Sequence, residues 1–297
     1  MRIFDCFMYY DEELILDIRL NSLKDQVDYF VICESKFYHN GIKRDLNFNI
    51  ENYRKFKDKI IYLVQEKLPG NLRKINAEDN EITKSNKMIF NAHVRENYQR
   101  NILQDGILKA SEEDLILISD VDEVPNLSSI NLSNIKNKIL IFEQDIFYYK
   151  LNRFLNGFIW YGTKGCAKKN LNTPQWLREI KNKDFGFWRL DTLFSKTKYI
   201  NKNFIKNGGW HFSNIKNAEN IELKLNSYLH HRDFQSENID IKKISSLIKS
   251  NETIYDMFAD KKSKKFTDNR RYLEIYDFNK LPNYIKKNKN MLKDWLD

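Results

Sequence analysis

The tightest constraint on the fold is the alternation of short apolar runs with helically spaced segments over the first 120 residues. Arg2–Met8 reads as a strand, Glu12–Leu23 sets Leu16, Leu20 and Leu23 at helical spacing, and Val27–Cys33 is a β-rich apolar run. Phe48–Phe56 reads as a short helix and Lys59–Val64 as a third strand. Met88–Ala110 reads as a long helix with Val94, Tyr98 and Ile102 on one stripe, and Asp114–Ser119 as a fourth strand. Strands alternating with helices imply a parallel sheet covered by helices on both faces. Ligands of such sheets bind beyond the carboxyl ends of the strands. Past Lys138 the pattern changes to aromatic strands, ILIFEQDIFYY and then GFIWYG. From Ala218 onward it is mostly helical, with Leu281-Pro282 opening a last helix. Nine glycines and four prolines leave no long linker. The expectation is an α/β unit over residues 1–235 and a helical, Lys-rich extension over 236–297 packed on it.

Composition excludes several classes. With 41% hydrophobic and 31% charged residues and a mean hydropathy of -0.66, the chain is neither disordered nor fibrous. No run approaches the ~20 apolar residues of a membrane span. The start, MRIFDCFMYYDEEL, carries an acid at position 5, so no signal peptide is expected. Cys6, Cys33 and Cys166 form no CxxC pair and sit in apolar company. They read as buried thiols in a reducing, cytoplasmic setting. Net charge is +9, and eleven Lys/Arg against five Asp/Glu after Asp260 place +6 of it in the tail. Such a tail suits nucleic acid, an anionic membrane or an acidic substrate, and equally a solvated face. No nucleic-acid-reading module accompanies it, so no nucleic acid partner is expected.

The sharpest chemical signal is Asp120-Val121-Asp122-Glu123, which follows an apolar strand and precedes Val124-Pro125. Acids at the end of a buried strand are costly unless they face a cleft, a cation or hydrogen-bond donors. Asp120 and Asp122 are two apart, so in extended chain they point the same way. Two hard oxygen ligands on one side suit Mg²⁺ or Mn²⁺ with room for water and phosphate oxygens. Two enzyme classes use a strand-end DxD. Haloacid-dehalogenase-like phosphatases carry it on the first strand, whereas here it lies on the fourth. Glycosyltransferases of the GT-A type carry it mid-chain after a nucleotide-binding βαβ half, which fits better.

Weaker signals surround it. His93, Asn97 and Asn101 form a polar stripe on the long helix, with Arg95 and Arg100 able to reach a diphosphate. Gly208-Gly209-Trp210-His211-Phe212-Ser213 allows close backbone approach, and its histidine reads as a core residue or a ligand. A glycoside hydrolase would need a spaced carboxylate pair, and nothing specifies one.

Several ordered motifs resemble glycosyltransferase family 17. They are Phe4-Asp5-Cys6-Phe7 with the helix after it, Val27–Ser35 with Gly41, and Arg95-Glu96-Asn97-Tyr98-Gln99-Arg100-Asn101. Asp120–Pro125, Phe158-Ile159-Trp160 with Gly165-Cys166, GGWHFS, Lys224 and the C-terminal LPxYI segment continue the match. Two departures stand out. A tryptophan common near the start of the long helix is missing, with Phe90 the nearest aromatic. An acidic residue on the acceptor side is blurred in His230-His231-Arg232-Asp233.

The resemblance implies a GT-A fold, a nucleotide-sugar donor (UDP-GlcNAc), a glycan acceptor, Mn²⁺ or Mg²⁺, and inversion at the anomeric carbon. It also implies roles. Asp120, Asp122 and His211 become the metal set; Arg95, Arg100 and Lys224 add positive charge at the diphosphate; Glu34 meets the uracil or ribose. The acceptor proton goes to Glu123, Asp233 or Asp191. Trp160, Tyr161 and Trp210 are sugar platforms or core aromatics. The tail lysines Lys261, Lys262, Lys264, Lys265, Lys286, Lys287 and Lys289 are expected to touch an anionic membrane at its inner face. The rival readings are a haloacid-dehalogenase-like phosphatase and a basic, non-enzymatic carbohydrate- or nucleic-acid-binding protein.

Overall fold

A computed structural model describes residues 1–130, 138–227, 240–258 and 270–297. The strands are β1 (Ile3–Tyr9), β2 (Tyr29–Ser35), β3 (Ile60–Gln65), β4 (Leu115–Asp120), β5 (Glu123–Pro125), β6 (Ile139–Tyr148), β7 (Arg153–Ala167), β8 (Lys202–Ser213) and β9 (Glu274–Ile275). The helices are α1 (Glu13–Leu23), α2 (Glu81–Ile102), α3 (Pro174–Glu179), α4 (Ala218–Ser227), α5 (Ile241–Ser250) and α6 (Asn283–Lys287). Among the described residues these nine strands form one mixed sheet in the order β3-β2-β1-β4-β7-β6-β8-β5, with β9 on β7. The first four are parallel, β7 runs antiparallel to β4 and β6, and β6 is parallel to β8.

Residues of β1 alternate between two cores, as the two-residue strand period requires. Ile3 and Phe7 pack with Leu16, Ile18 and Leu20 of α1 on one face. Phe4 and Cys6 pack with Leu103, Ile107, Trp176 and Leu177 on the other. Both faces are therefore covered, and the three cysteines are buried free thiols.

Several boundaries differ from the sequence reading. The long helix begins at Glu81, where Asn80 Oδ1 accepts from Thr83 N at 2.8 Å, and it gives way to a 3₁₀ turn at Leu103. The expected short helix is a 3₁₀ turn from Ile50 to Phe56. GFIWYG is the middle of the fifteen-residue β7. The C-terminal region is not purely helical, because β9 joins the sheet through Arg153↔Ile275 and Phe154↔Glu274. Leu281, Ile285 and Leu292 enter the same core as β1 and α1.

Candidate functional site

The strand-end acids sit where two elements fix the backbone. β4 ends at Asp120, a tight turn carries Val121 and Asp122, and β5 pairs antiparallel with β8. That register sets Glu123 opposite His211, and Phe212 N donates to Asp122 O at 2.8 Å. β5 and β8 approach so closely that a Cβ on Gly209 (φ +135°) would lie 2.2 Å from Val124 O, so the position needs glycine. Beneath the turn lies Arg19 of α1, fully buried. Its guanidinium donates to the carbonyls of Asp120 (3.2 Å), Val121 (3.2 Å) and Glu123 (2.7 Å), and pairs with Asp5 at 2.5 Å.

The turn splits the two aspartates, so they do not share one set of partners as an extended chain would make them. Asp120 Oδ1 accepts from Arg100 and Oδ2 from Arg178, each at 3.1 Å. Burial works against its charge, but Arg178 and Arg100 outweigh it and hold the carboxyl below its ordinary range. Asp122 instead faces His211 Nε2 at 3.5 Å and Lys224 Nζ at 3.7 Å. Those two groups overcome its burial and keep it strongly acidic.

Glu123 is fully buried and accepts from four donors: Asp120 N (2.9 Å), Trp160 Nε1 (2.7 Å), Arg178 Nη1 (2.8 Å) and Arg178 Nη2 (2.9 Å). A carboxylate so engaged anchors Arg178 and is not free to take a proton from an acceptor hydroxyl. Burial disfavours the Arg178 charge, yet Glu123 and Asp120 hold it even more firmly protonated than usual.

The other expected site residues divide in the same way. Arg100 belongs to the cluster, bridging Asp120 and Glu96 and donating to Gln175. Arg95 donates to His39 O at 2.9 Å instead of joining Arg100 and Arg178 on Asp120. Glu34 is buried and accepts from Arg44, Asn47 N, Phe48 N and Tyr62 Oη, so it ties down its own loop rather than presenting a free carboxylate to a ribose. Asp191 is exposed and paired with Arg189 and Lys198. Asp233 lies outside the described residues, as do Lys261, Lys262, Lys264 and Lys265. Of the aromatic platforms, Trp160 lies tilted by 34° with its ring 4.6 Å from that of His211, Trp210 Nε1 donates to Lys280 O, and Tyr161 packs edge-on against Phe204. His93 is exposed, and the inward face of α2 carries Gln99 and Arg100 instead.

Two residues escaped the sequence reading. Arg178 stands in a six-residue helix whose only signal is its Thr173-Pro174 start. Glu12 follows β1 and lines a cavity of about 220 Å³ together with Asp122, Phe212, Asn214, Asn217 and Lys224. Burial lifts its carboxyl above the usual range, against the pull of Lys224 and Lys216. The rule that drew attention to DVDE, an acid beyond the carboxyl end of a parallel strand, would have found Glu12 as well.

Asp122 and His211 offer a hard oxygen and an imidazole nitrogen to a divalent cation, and His211 Nδ1 is buried without a hydrogen-bond partner among the described residues. Asp120 fits less well, since both its oxygens already face guanidinium groups. Among the described residues no group of three His, Cys, Asp or Glu side chains is gathered closely enough to hold a metal ion. The donor set therefore fits a cation held by two protein ligands, the coordination that Mg²⁺ commonly completes with water and phosphate oxygens.

Acids beyond parallel strands, backed by buried guanidinium and ammonium groups, define an α/β protein with a polar ligand site at the carboxyl edge of its sheet. The chain belongs to glycosyltransferase family 17, whose family model matches residues 1–296. It is 24% identical over 233 residues to the human beta-1,4-mannosyl-glycoprotein 4-beta-N-acetylglucosaminyltransferase, and the rat protein of the same name matches to the same extent. The match covers 71% of this chain and 40% of each relative, so the chain spans well under half their length. Two solved structures align with TM-scores of 0.32: HddC from Yersinia pseudotuberculosis (11% identity, 70% of this chain and 91% of that one) and the inositol-1-phosphate CTP transferase from T. maritima (10% identity, 82% and 96%).

Proposed function

We propose that the chain is an inverting GT-A glycosyltransferase that moves N-acetylglucosamine from UDP-GlcNAc to a glycan hydroxyl. The observation that carries this reading is Asp122, held at the carboxyl edge of the sheet between His211 and Lys224 and open to the cavity. Family membership and the names of the relatives support the sugar donor. In this proposal Asp122 and His211 hold Mn²⁺ or Mg²⁺, which would neutralise charge on the departing diphosphate. Lys224 adds a fixed positive charge beside them. Arg100 and Arg178 fix Asp120, and through it the turn, instead of meeting the diphosphate. With Glu123 saturated and Asp191 paired in an outer loop, Asp233 keeps the role of proton acceptor. A cytoplasmic setting belongs to the same proposal. So does membrane contact by the tail, where Lys287 and Lys289 are exposed.

UDP release tests it. UDP-GlcNAc should be turned over in the presence of Mn²⁺ and a mannose-terminated glycan, with EDTA suppressing release. Release of phosphate from a phosphomonoester without a sugar donor would instead favour the phosphatase reading. In that reading Asp120 would be the nucleophile, yet both of its oxygens face arginines.

A further inference from the structure

The segment between α3 and β8 is tied at its base and apolar at its tip. Lys181 N donates to Thr197 O at 2.9 Å, Trp176 Nε1 donates to Lys196 O at 2.5 Å, and Lys202 Nζ donates to the carbonyls of Lys181 (3.1 Å) and Lys183. Successive turns order the tip, with Arg189 N donating to Gly186 O, Thr192 N to Arg189 O and Leu193 N to Leu190 O. This ordered loop holds its large apolar side chains in water. Phe187 is 84% exposed, Trp188 70%, Leu190 70%, Leu193 73% and Phe194 89%. Among the described residues, none of the five joins a core cluster. An apolar patch of this kind on an otherwise well-packed chain marks a contact surface.

Charge identifies what the surface meets. Between residues 181 and 200 stand five Lys/Arg and two Asp. Lys181, Lys183 and Lys196 are exposed at the base of the loop, and Arg189, paired with Asp191, is exposed at the tip. A second copy of this chain would bring two such basic loops together, like against like. A bilayer needs no matching concavity, accepts Trp, Phe and Leu at the level of its headgroups, and attracts the lysines when its lipids are anionic. We propose that the 181–200 loop is an interfacial anchor that seats the protein on an anionic lipid bilayer. The described surface thus assigns membrane contact to a loop far in sequence from the tail lysines. Arg178 lies three residues before Lys181, so the anchor would hold the rim of the Asp120–Glu123 cluster close to the lipid surface. The inference does not depend on the proposed transfer reaction, because binding alone tests it.

The full chain would be co-sedimented with vesicles of phosphatidylcholine alone and of phosphatidylcholine mixed equally with phosphatidylglycerol. Tryptophan emission would be followed in parallel. Binding to the mixed vesicles only is expected, with a blue shift in emission. The Trp188→Ser/Phe194→Ser variant should bind at least tenfold more weakly and lose most of the shift, at an unchanged melting temperature. Lys181→Glu/Lys183→Glu should bind more weakly too, and ~0.5 M salt should weaken the wild type, since screening then acts over only a few Å. Three results would overturn the proposal: no binding to mixed vesicles; binding lost in Lys286→Ser/Lys287→Ser but kept in the loop variants; or, in sedimentation velocity without lipid, a dimer that the loop substitutions abolish.

Discussion

Arg178 gives one guanidinium to two carboxylates, Glu123 through a double hydrogen bond and Asp120 through a single one. Only a planar fork makes all three contacts, so a lysine there keeps the charge and loses the geometry. Arg178→Met should cost about 3–5 kcal/mol in urea denaturation, because Glu123 is left buried and unpaired. Arg178→Lys should recover part of that stability, and little of any UDP release. Asp122 behaves differently, since it faces a cavity and, among the described residues, pairs with His211 and Lys224 rather than with an arginine. Asp122→Asn should lower UDP release at least about a hundredfold, the scale expected for losing one preorganised electrostatic group. Its melting temperature should stay close to the wild type's; a well-folded variant that still turns over would remove Asp122 from the site. These two residues also mark what could be read from the sequence. DVDE was legible because charge at the end of an apolar strand is costly and therefore informative. Which of its acids faces inward was not, because a turn at Val121-Asp122 breaks the two-residue period. Arg178 was invisible because its partners lie 55 and 58 positions away.

The link from α1 to the β4–β5 turn works through buried polar groups as well as through apolar packing of Val121 and Val124 with Leu16, Ile18 and Leu20. Arg19 is fully buried, and its bonds run to Asp5, Ser119 and three carbonyls of the turn. Arg19→Leu should destabilise by about 3–5 kcal/mol, since Asp5 would remain as an uncompensated buried charge. Asp5→Leu in the same chain should restore much of that stability but not the position of the turn. Urea midpoints together with UDP affinity would separate the two effects. The opposite side of the turn depends on Gly209, where alanine meets both a strained φ and the Val124 carbonyl. At this scale the parallel half, β1 to β4, was legible, because each strand is a continuous apolar run between helical segments. β9 was not. It is two residues long and takes its identity from β7, a partner over a hundred residues earlier.

Across the whole molecule, pH should act on stability through Lys164. Its side chain is buried and donates to the carbonyls of Arg178 and Ile180, and burial lowers its pKa to about 7. A neutral amine still has two N–H groups for those two carbonyls. Between pH ~7 and the unfolded lysine's ~10.4, the unfolded chain binds the extra proton, so stability rises with pH in that window. The urea midpoint of the wild type should therefore gain more from pH 7 to pH 9 than that of Lys164→Met. Equal slopes would mean that Lys164 stays charged in the fold. The C-terminal segment belongs to the same global balance, because Leu281, Ile285 and Leu292 share a core with Phe7, Leu16 and Leu20. Its removal after Lys280 takes three fully packed side chains worth about 1.5–3 kcal/mol each, and the shortened chain should be recovered only in aggregated form. This shared core also sets a timetable for synthesis. At ~5–20 residues per second the ribosome needs roughly 15–60 s for the whole chain. For nearly all of that interval Phe7, Leu16 and Leu20 lack the last of their partners, Leu281, Ile285 and Leu292, so the yield of native protein should rise when translation is followed closely by chaperone capture.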